Sequence, residues 1–286
     1  MIRVGTCGFS FKDWKGIVYP DKLRDSEILN FYSNNLGMDT VEIDASYYRF
    51  FSRQTVQKWI VETPPHFIFT VKCHKDMTGN DSKKGYASIQ TVEDIFNRFI
   101  DSFTPLINNG RLACFLAQFG PIFWKSKENL DTLQRFRAMM GSHPLAIEFR
   151  HSSWYKPETI DHTFSWLEEH HLYHVIVDLP LQRTLPPFIP RACGNTAYLR
   201  LHGRNNNWFN STRDERYNYQ YSDSELESLI PHIRLLDREV PLSLVYFNNC
   251  HAGAAMRNAL RLKKLLGLDE TKSQQSYVQS ELDLDM

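Results

Sequence analysis

The stretch LAIEFRHSSW, residues 145–154, puts a Glu and an Arg into a run that otherwise reads as a buried strand. In a strand successive side chains point to opposite faces, so Leu145, Ile147 and Phe149 share one face while Glu148 and Arg150 share the other. In an antiparallel sheet such a charged face would simply be wet. Which reading holds depends on what flanks the segment.

Seven more segments read as strands: IRVGTC (2–7), TVEID (40–44), FIFTVKC (67–73), LACFLAQF (112–119), HVIVDL (174–179), AYLRLHG (197–203) and LSLVYFNN (242–249). Helical periodicity fills most of the intervals, at 26–36, 53–62, 91–103, 126–140, 158–171, 223–237 and 252–266. Strands alternating with helices imply parallel βαβ units, and eight of them imply an α/β fold of the TIM (β/α)8-barrel type. The segment LQRTLPPFIPRACGNT (181–196) is too rich in Pro and turn formers for a full helix, so the sixth crossover is expected to be irregular. Ser222 or Asp223 marks one helix start and Lys156-Pro157 another. Residues 1–268 form a single barrel domain in this reading, and the acidic tail 269–286 is expected to be either disordered and flexible or a short docked appendage.

In a barrel one strand face meets the outer helices and the other the interior. The apolar set Val41, Ile43, Val71, Cys73, Ile147, Phe149, Val175, Val177, Leu199, Leu201, Val245 and Phe247 is assigned to the helix side. The opposite parity then turns inward Glu42, Asp44, Lys72, His74, Gln118, Glu148, Arg150, Asp178, Arg200, His202, Tyr246 and Asn248. These residues cluster at the C-terminal ends of the strands, where barrel enzymes carry their sites. Buried charges must be paired or bind something, so the alternatives are a self-satisfied ion-pair network and a functional pocket.

The chain has 286 residues, 42% of them hydrophobic and 23% charged, with Lys+Arg and Asp+Glu equal at 33. That balance points to no polyanionic partner for the molecule as a whole. No run approaches a bilayer span, and the N-terminus enters directly into strand-like sequence, so a cytoplasmic protein without membrane contact is expected. Cys7, Cys73, Cys114, Cys193 and Cys250 are odd in number and lack a CxxC pair, which suggests reduced thiols rather than disulfides or structural zinc.

Locally, charge is uneven. The segment KCHKDMTGNDSKKG carries Lys72, Lys75, Lys83 and Lys84 against Asp76 and Asp81. The segment RLHGRNNNWFNSTRDERYNYQY carries Arg200, Arg204, Arg213 and Arg216 against Asp214 and Glu215, with Trp208, Phe209, Tyr217, Tyr219 and Tyr221 among them. Basic groups interleaved with aromatics suit nucleotide stacking or sugar-phosphate contact, and they equally suit a solvated loop. No GxGxxG, GxxxxGK[ST] or GxSxG pattern is present.

The pieces GTCGFSFKDWKGIVYP, VEIDASYYRFF, TPPHFIFTVKCHKDMT, AIEFRHSSW, YLRLHG and VYFNN, followed by AGAAMRNALRLKKLLG, together resemble the YecE-like proteins, a family of unknown function. The resemblance implies a TIM barrel and brings no reaction. Against the family's usual pattern this chain has Asp44 for Asn, Gly79 for His and Phe9 for Trp, and the glycine removes a possible proton-transfer or ligand group.

The leading expectation is an enzyme acting on a small phosphorylated or nucleotide-like anion, without a cofactor or metal. Glu148, His202, Lys72 and Glu42 are the candidate catalytic residues. Arg150 and Arg200 would hold the anion, helped by Asp178, Tyr246, Asn248, Asn249 and Trp208. Lys72 is alternatively a nucleophile if desolvation lowers its pKa, and Asn248 and Asn249 alternatively cap the barrel. A non-catalytic barrel binding nucleic acid or a partner is the rival. Two further alternatives are a glycoside hydrolase using Glu42 and Glu148, and a metal-dependent phosphoesterase using His74, His202, Glu42, Glu148 and Asp178.

Overall fold

A computed structural model describes residues 1–79, 91–205 and 213–268, with the side chains of 213 and 214 excepted. Eight strands run in order: β1 (Ile2–Thr6), β2 (Thr40–Ile43), β3 (Ile68–Lys72), β4 (Leu112–Gln118), β5 (Leu145–Glu148), β6 (Tyr173–Asp178), β7 (Thr196–Leu201) and β8 (Leu242–Phe247). Each pairs in parallel with its sequence neighbour from β2 to β8, and β8 pairs with β1. The ring is thus the expected TIM-type barrel.

The seam between β1 and β2 is made differently. Its backbone contacts include the Cys7–Glu42 bridge and the Gly8 N–H donating to the Glu42 carbonyl at 2.8 Å. Above Gly5 the Tyr32 hydroxyl is inserted: the Thr6 N–H donates to it at 3.1 Å, and it donates to the Thr40 carbonyl at 3.1 Å. Gly5 is needed here, because a Cβ at this position would lie 2.3 Å from the Thr40 carbonyl oxygen.

Helices cover the outside: α1 (Ile28–Asn30), α2 (Arg53–Glu62), α3 (Lys75–Thr78), α4 (Val92–Ser102), α5 (Thr104–Asn108), α6 (Lys127–Met140), α7 (Ile160–Glu169), α8 (Arg213–Arg216), α9 (Asp223–Glu239) and α10 (Ala254–Leu266). Ser222 caps α9 in a capping box with Glu225, satisfying amides that the helix start leaves open. Helix α7 begins two residues later than its sequence periodicity suggests, with Thr159 at its cap position. Between β6 and β7 the chain is extended with turns, as its proline content requires.

Two apolar clusters result. The larger lies between sheet and helices; the smaller fills the barrel and contains Cys7, Cys114, Leu116, Ala146, Val175, Val177, Tyr198, Leu244 and Tyr246. The expected facing holds for Val41, Val71, Ile147, Leu199 and Val245, which all belong to the helix side. It fails on β6. Val175 and Val177 point inward and Ile176 outward, since the register sets Val177 beside Arg200 and Asp178 beside Leu201. A run of three aliphatic residues has no alternation of its own, so only pairing with β7 fixes its face.

Candidate functional site

Above the small apolar cluster the barrel holds a layer of charge. Arg200 crosses from β7: its Nε and Nη2 donate to Glu42 at 2.9 and 2.7 Å, its Nη1 to Glu148 at 2.5 Å and to Gln118 at 3.1 Å, and its Nη2 approaches the Cys7 sulfur at 3.5 Å. All five of its N–H groups therefore face a partner. Glu148 also accepts from the Arg150 Nε, and Glu42 from the Tyr198 hydroxyl. Arg200, Glu42, Glu148 and His202 are all fully buried. Two carboxylates and two guanidinium groups thus neutralise one another, which is how a charged layer survives in a dry interior.

This arrangement fixes protonation. Burial alone would raise the Glu148 pKa, but Arg150, Arg200 and His202 hold it well below the ordinary carboxylate range. Burial and then Arg150 push His202 down to about 3 against the pull of Glu148. His202 is therefore neutral, accepting from the Asn248 amide at Nδ1 (2.8 Å) with its Nε2 3.5 Å from Glu148.

Over this layer opens a cleft of about 630 Å³ at the C-terminal end of the strands, lined by Cys7, Phe11, Asp44, Tyr47, Tyr48, Lys72, Gln118 and Asn248 among others. Lys72 projects from the end of β3 and is 7% exposed. Its ammonium donates to Asp44 at 2.8 Å and lies 4.7 Å from the centre of the Tyr47 ring. Burial pulls the Lys72 pKa down, but Asp44 and Glu42 outweigh it and the net shift is upward. The amine stays a cation at neutral pH, which sets aside its expected role as a desolvated nucleophile.

Of the sequence-derived candidates, Lys72 and Asn248 line the cleft. Glu42, Glu148, Arg200 and His202 form its buried foundation, and Arg150 is 6% exposed beside them. Three candidates lie elsewhere. Asp178 turns outward and takes three contacts from Arg204, at 2.9 to 3.1 Å, and the Tyr221 hydroxyl at 2.6 Å. Tyr246 sits lower in the barrel, with its hydroxyl 2.6 Å from that of Thr40 and 3.0 Å from that of Thr70. Asn249 is buried and donates to the Tyr219 carbonyl and to Asn258, tying down the segment before α9. Trp208, Lys83 and Lys84 lie outside the described residues.

The residues named for the rival chemistries are engaged elsewhere in this structure. Glu42 and Glu148 share one guanidinium, so neither faces the cleft as a glycosidase carboxylate. His74 stacks on Phe50 and its Nδ1 accepts from the Asp76 amide. Among the described residues no group of three or more His, Cys, Asp or Glu is placed to hold a metal ion. All five cysteines are free thiols. Parity reasoning missed Phe11, Tyr47 and Tyr48, which come from the connections after β1 and β2 rather than from strands; the aromatic-rich runs GFSFKDW and SYYRFF were the available signals.

The family model described as "Protein of unknown function DUF72" matches residues 3–281. The UPF0759 protein YunF of Bacillus subtilis is 32% identical over 281 residues, covering 94% of this chain and 96% of that protein. The crystal structure of a DUF72 family protein from Thermotoga maritima superposes with a TM-score of 0.83 at 38% identity, over 93% of this chain and 99% of that one. A DUF72 family protein from Enterococcus faecalis gives 0.81 at 30%, over 94% and 97%. No helix among the described residues is long and apolar enough to cross a membrane.

Proposed function

Because the chain belongs to the DUF72 family, which is the YecE-like family under another name, and no reaction comes with that membership, we propose from its own cleft that it binds a small phosphorylated or nucleotide-like anion at the C-terminal mouth of the barrel. One observation carries this reading: the Lys72 ammonium is held charged at the base of an open cleft, above a layer whose own charges cancel. An anion meeting that layer gains nothing from Arg200, whose donors are committed. It gains from Lys72, which spends one of its three N–H groups on Asp44. Tyr47 and Tyr48 supply ring faces for the rest of the ligand.

The same geometry moves any chemistry away from Glu148 and His202. The former is a fully engaged carboxylate and the latter a neutral ring beneath the floor. The Lys72 ammonium is a proton donor within the cleft, and the amine it leaves would take its proton back from solvent, with the Asp44 carboxylate favouring the charged form.

Thermal-shift or calorimetric titration with inorganic phosphate, ribose 5-phosphate and mononucleotides tests the reading. A ligand that binds only the folded state raises the unfolding temperature by mass action. The response should be present in the parent and lost in Lys72→Gln. A response that survives Lys72→Gln unchanged, or none in the parent, overturns it.

A further inference from the structure

Beside the cleft lies a second cavity of about 460 Å³, between the loop after β1, the loop after β2 and helix α2. Phe9, Phe11, Tyr48 and Trp59 are among its walls. Phe11, Asp44 and Tyr48 line both cavities, so the two share one partition. Two of those three residues are aromatic, and Tyr48 is 48% exposed although it stands beside an apolar recess. The position of Phe11 is built in. Gly8 has a φ of +86°, and a Cβ there would lie 2.8 Å from the Phe11 ring.

Asp44 joins the two spaces chemically. Its carboxylate is ion-paired with Lys72 in the cleft, and the residue also closes one end of the apolar cavity. A ligand with its anionic group on Lys72 therefore has an aromatic-walled recess within reach on the far side of Phe11 and Tyr48. Rings at such a wall favour flat, polarisable groups over sugars, because stacking and burial act on the whole face of a ring.

Resting on the anion reading of the cleft, we infer that the second cavity is the ring subsite of the same ligand. The preferred ligand is then a phosphate ester carrying a planar aromatic group, with the chemistry of a nucleoside monophosphate, rather than a simple sugar phosphate. The recess is edged by charges of both signs, Asp25, Asp44 and Glu62 paired with Lys15, Lys72 and Lys58, and Arg49, so its aromatic walls rather than its polar rim carry the preference for a planar group.

The test compares AMP, UMP and ribose 5-phosphate by calorimetry on the full chain. The expected result is at least one mononucleotide binding tenfold or more tightly than ribose 5-phosphate. Thr55→Trp, at an exposed position that lines the second cavity and not the cleft, should fill the recess. It should reduce mononucleotide affinity to that of ribose 5-phosphate and leave the latter unchanged, with Ser26→Phe as a second filling variant should Thr55→Trp fail to fold. Equal affinities in the parent, or a preference untouched by filling, overturn the ring subsite while the anion reading stands. Loss of all three ligands' binding from the parent overturns both.

Discussion

Replacing Arg200 by Met would leave Glu42 and Glu148 facing a dry interior with their principal cation gone. Removing one partner of a buried charge set costs about 3–5 kcal/mol, which for a chain of this size lowers the unfolding temperature on the order of 10 °C. A thermal melt of Arg200→Met at neutral pH should show that drop. If the side chain instead served only to hold ligand, the melt would stay close to the parent's. Acid behaviour follows from the same burial. His202 is pushed down to about 3 and His174, which donates to the Arg191 carbonyl and accepts from Tyr155, to about 4, both from an ordinary 6.5. Between 6.5 and those values the unfolded chain binds protons that the folded one refuses, so stability falls as the pH falls. The ceiling is about 1.4 kcal/mol per pH unit for each histidine. Glu148, with its pKa depressed, adds stability above its ordinary 4.5 that is lost on further acidification. Denaturant melts from pH 7 to 4 should show this decline, and His174→Gln should flatten it. The inward facing of Glu148, Arg200 and Lys72 was legible from strand parity. Their division into foundation and cleft was not, because parity reports a face and carries no information on which partners a long side chain reaches.

The elements were readable wherever alternation or helical period was unbroken. Strand β5 declares its two faces through Glu148 and Arg150, and proline marks the crossover after β6. Strand β6 itself was misassigned, since His-Val-Ile-Val carries no contrast and Asp178 followed the wrong parity. The structure gives Asp178 another job: it ties Arg204 and Tyr221, on the described residues flanking 206–212, to the barrel rim, where Asn249 also holds Tyr219. Asp178→Asn should therefore loosen those residues. Limited proteolysis should cut near Arg204 and near residues 217–221 faster than in the parent, with stability lowered by only about 1–3 kcal/mol, the range for leaving a buried partner unsatisfied. Equal cutting rates would mean that the tie has no mechanical role.

As a whole the molecule is a ring of parallel backbone ladders joined, between β1 and β2, through a side-chain hydroxyl. Tyr32→Phe would strand the Thr6 N–H and the Thr40 carbonyl, both buried, at a cost of about 2–6 kcal/mol for two unsatisfied groups. A chemical-denaturation curve should register that loss without a change of fold. The loops that follow these same two strands contribute walls to both cavities. Seven joins of the hoop are ladders of backbone hydrogen bonds and this one is not, so it should be the sector that gives first, and any give there should alter the spacing of the cavity walls. A molecule spanning the partition of Phe11 and Tyr48 would brace the hoop from above, as a clasp does. Hydrogen exchange should then slow at the Thr6 and Gly8 amides when ligand is added, although neither amide touches it, while amides between β6 and β7 keep their pace.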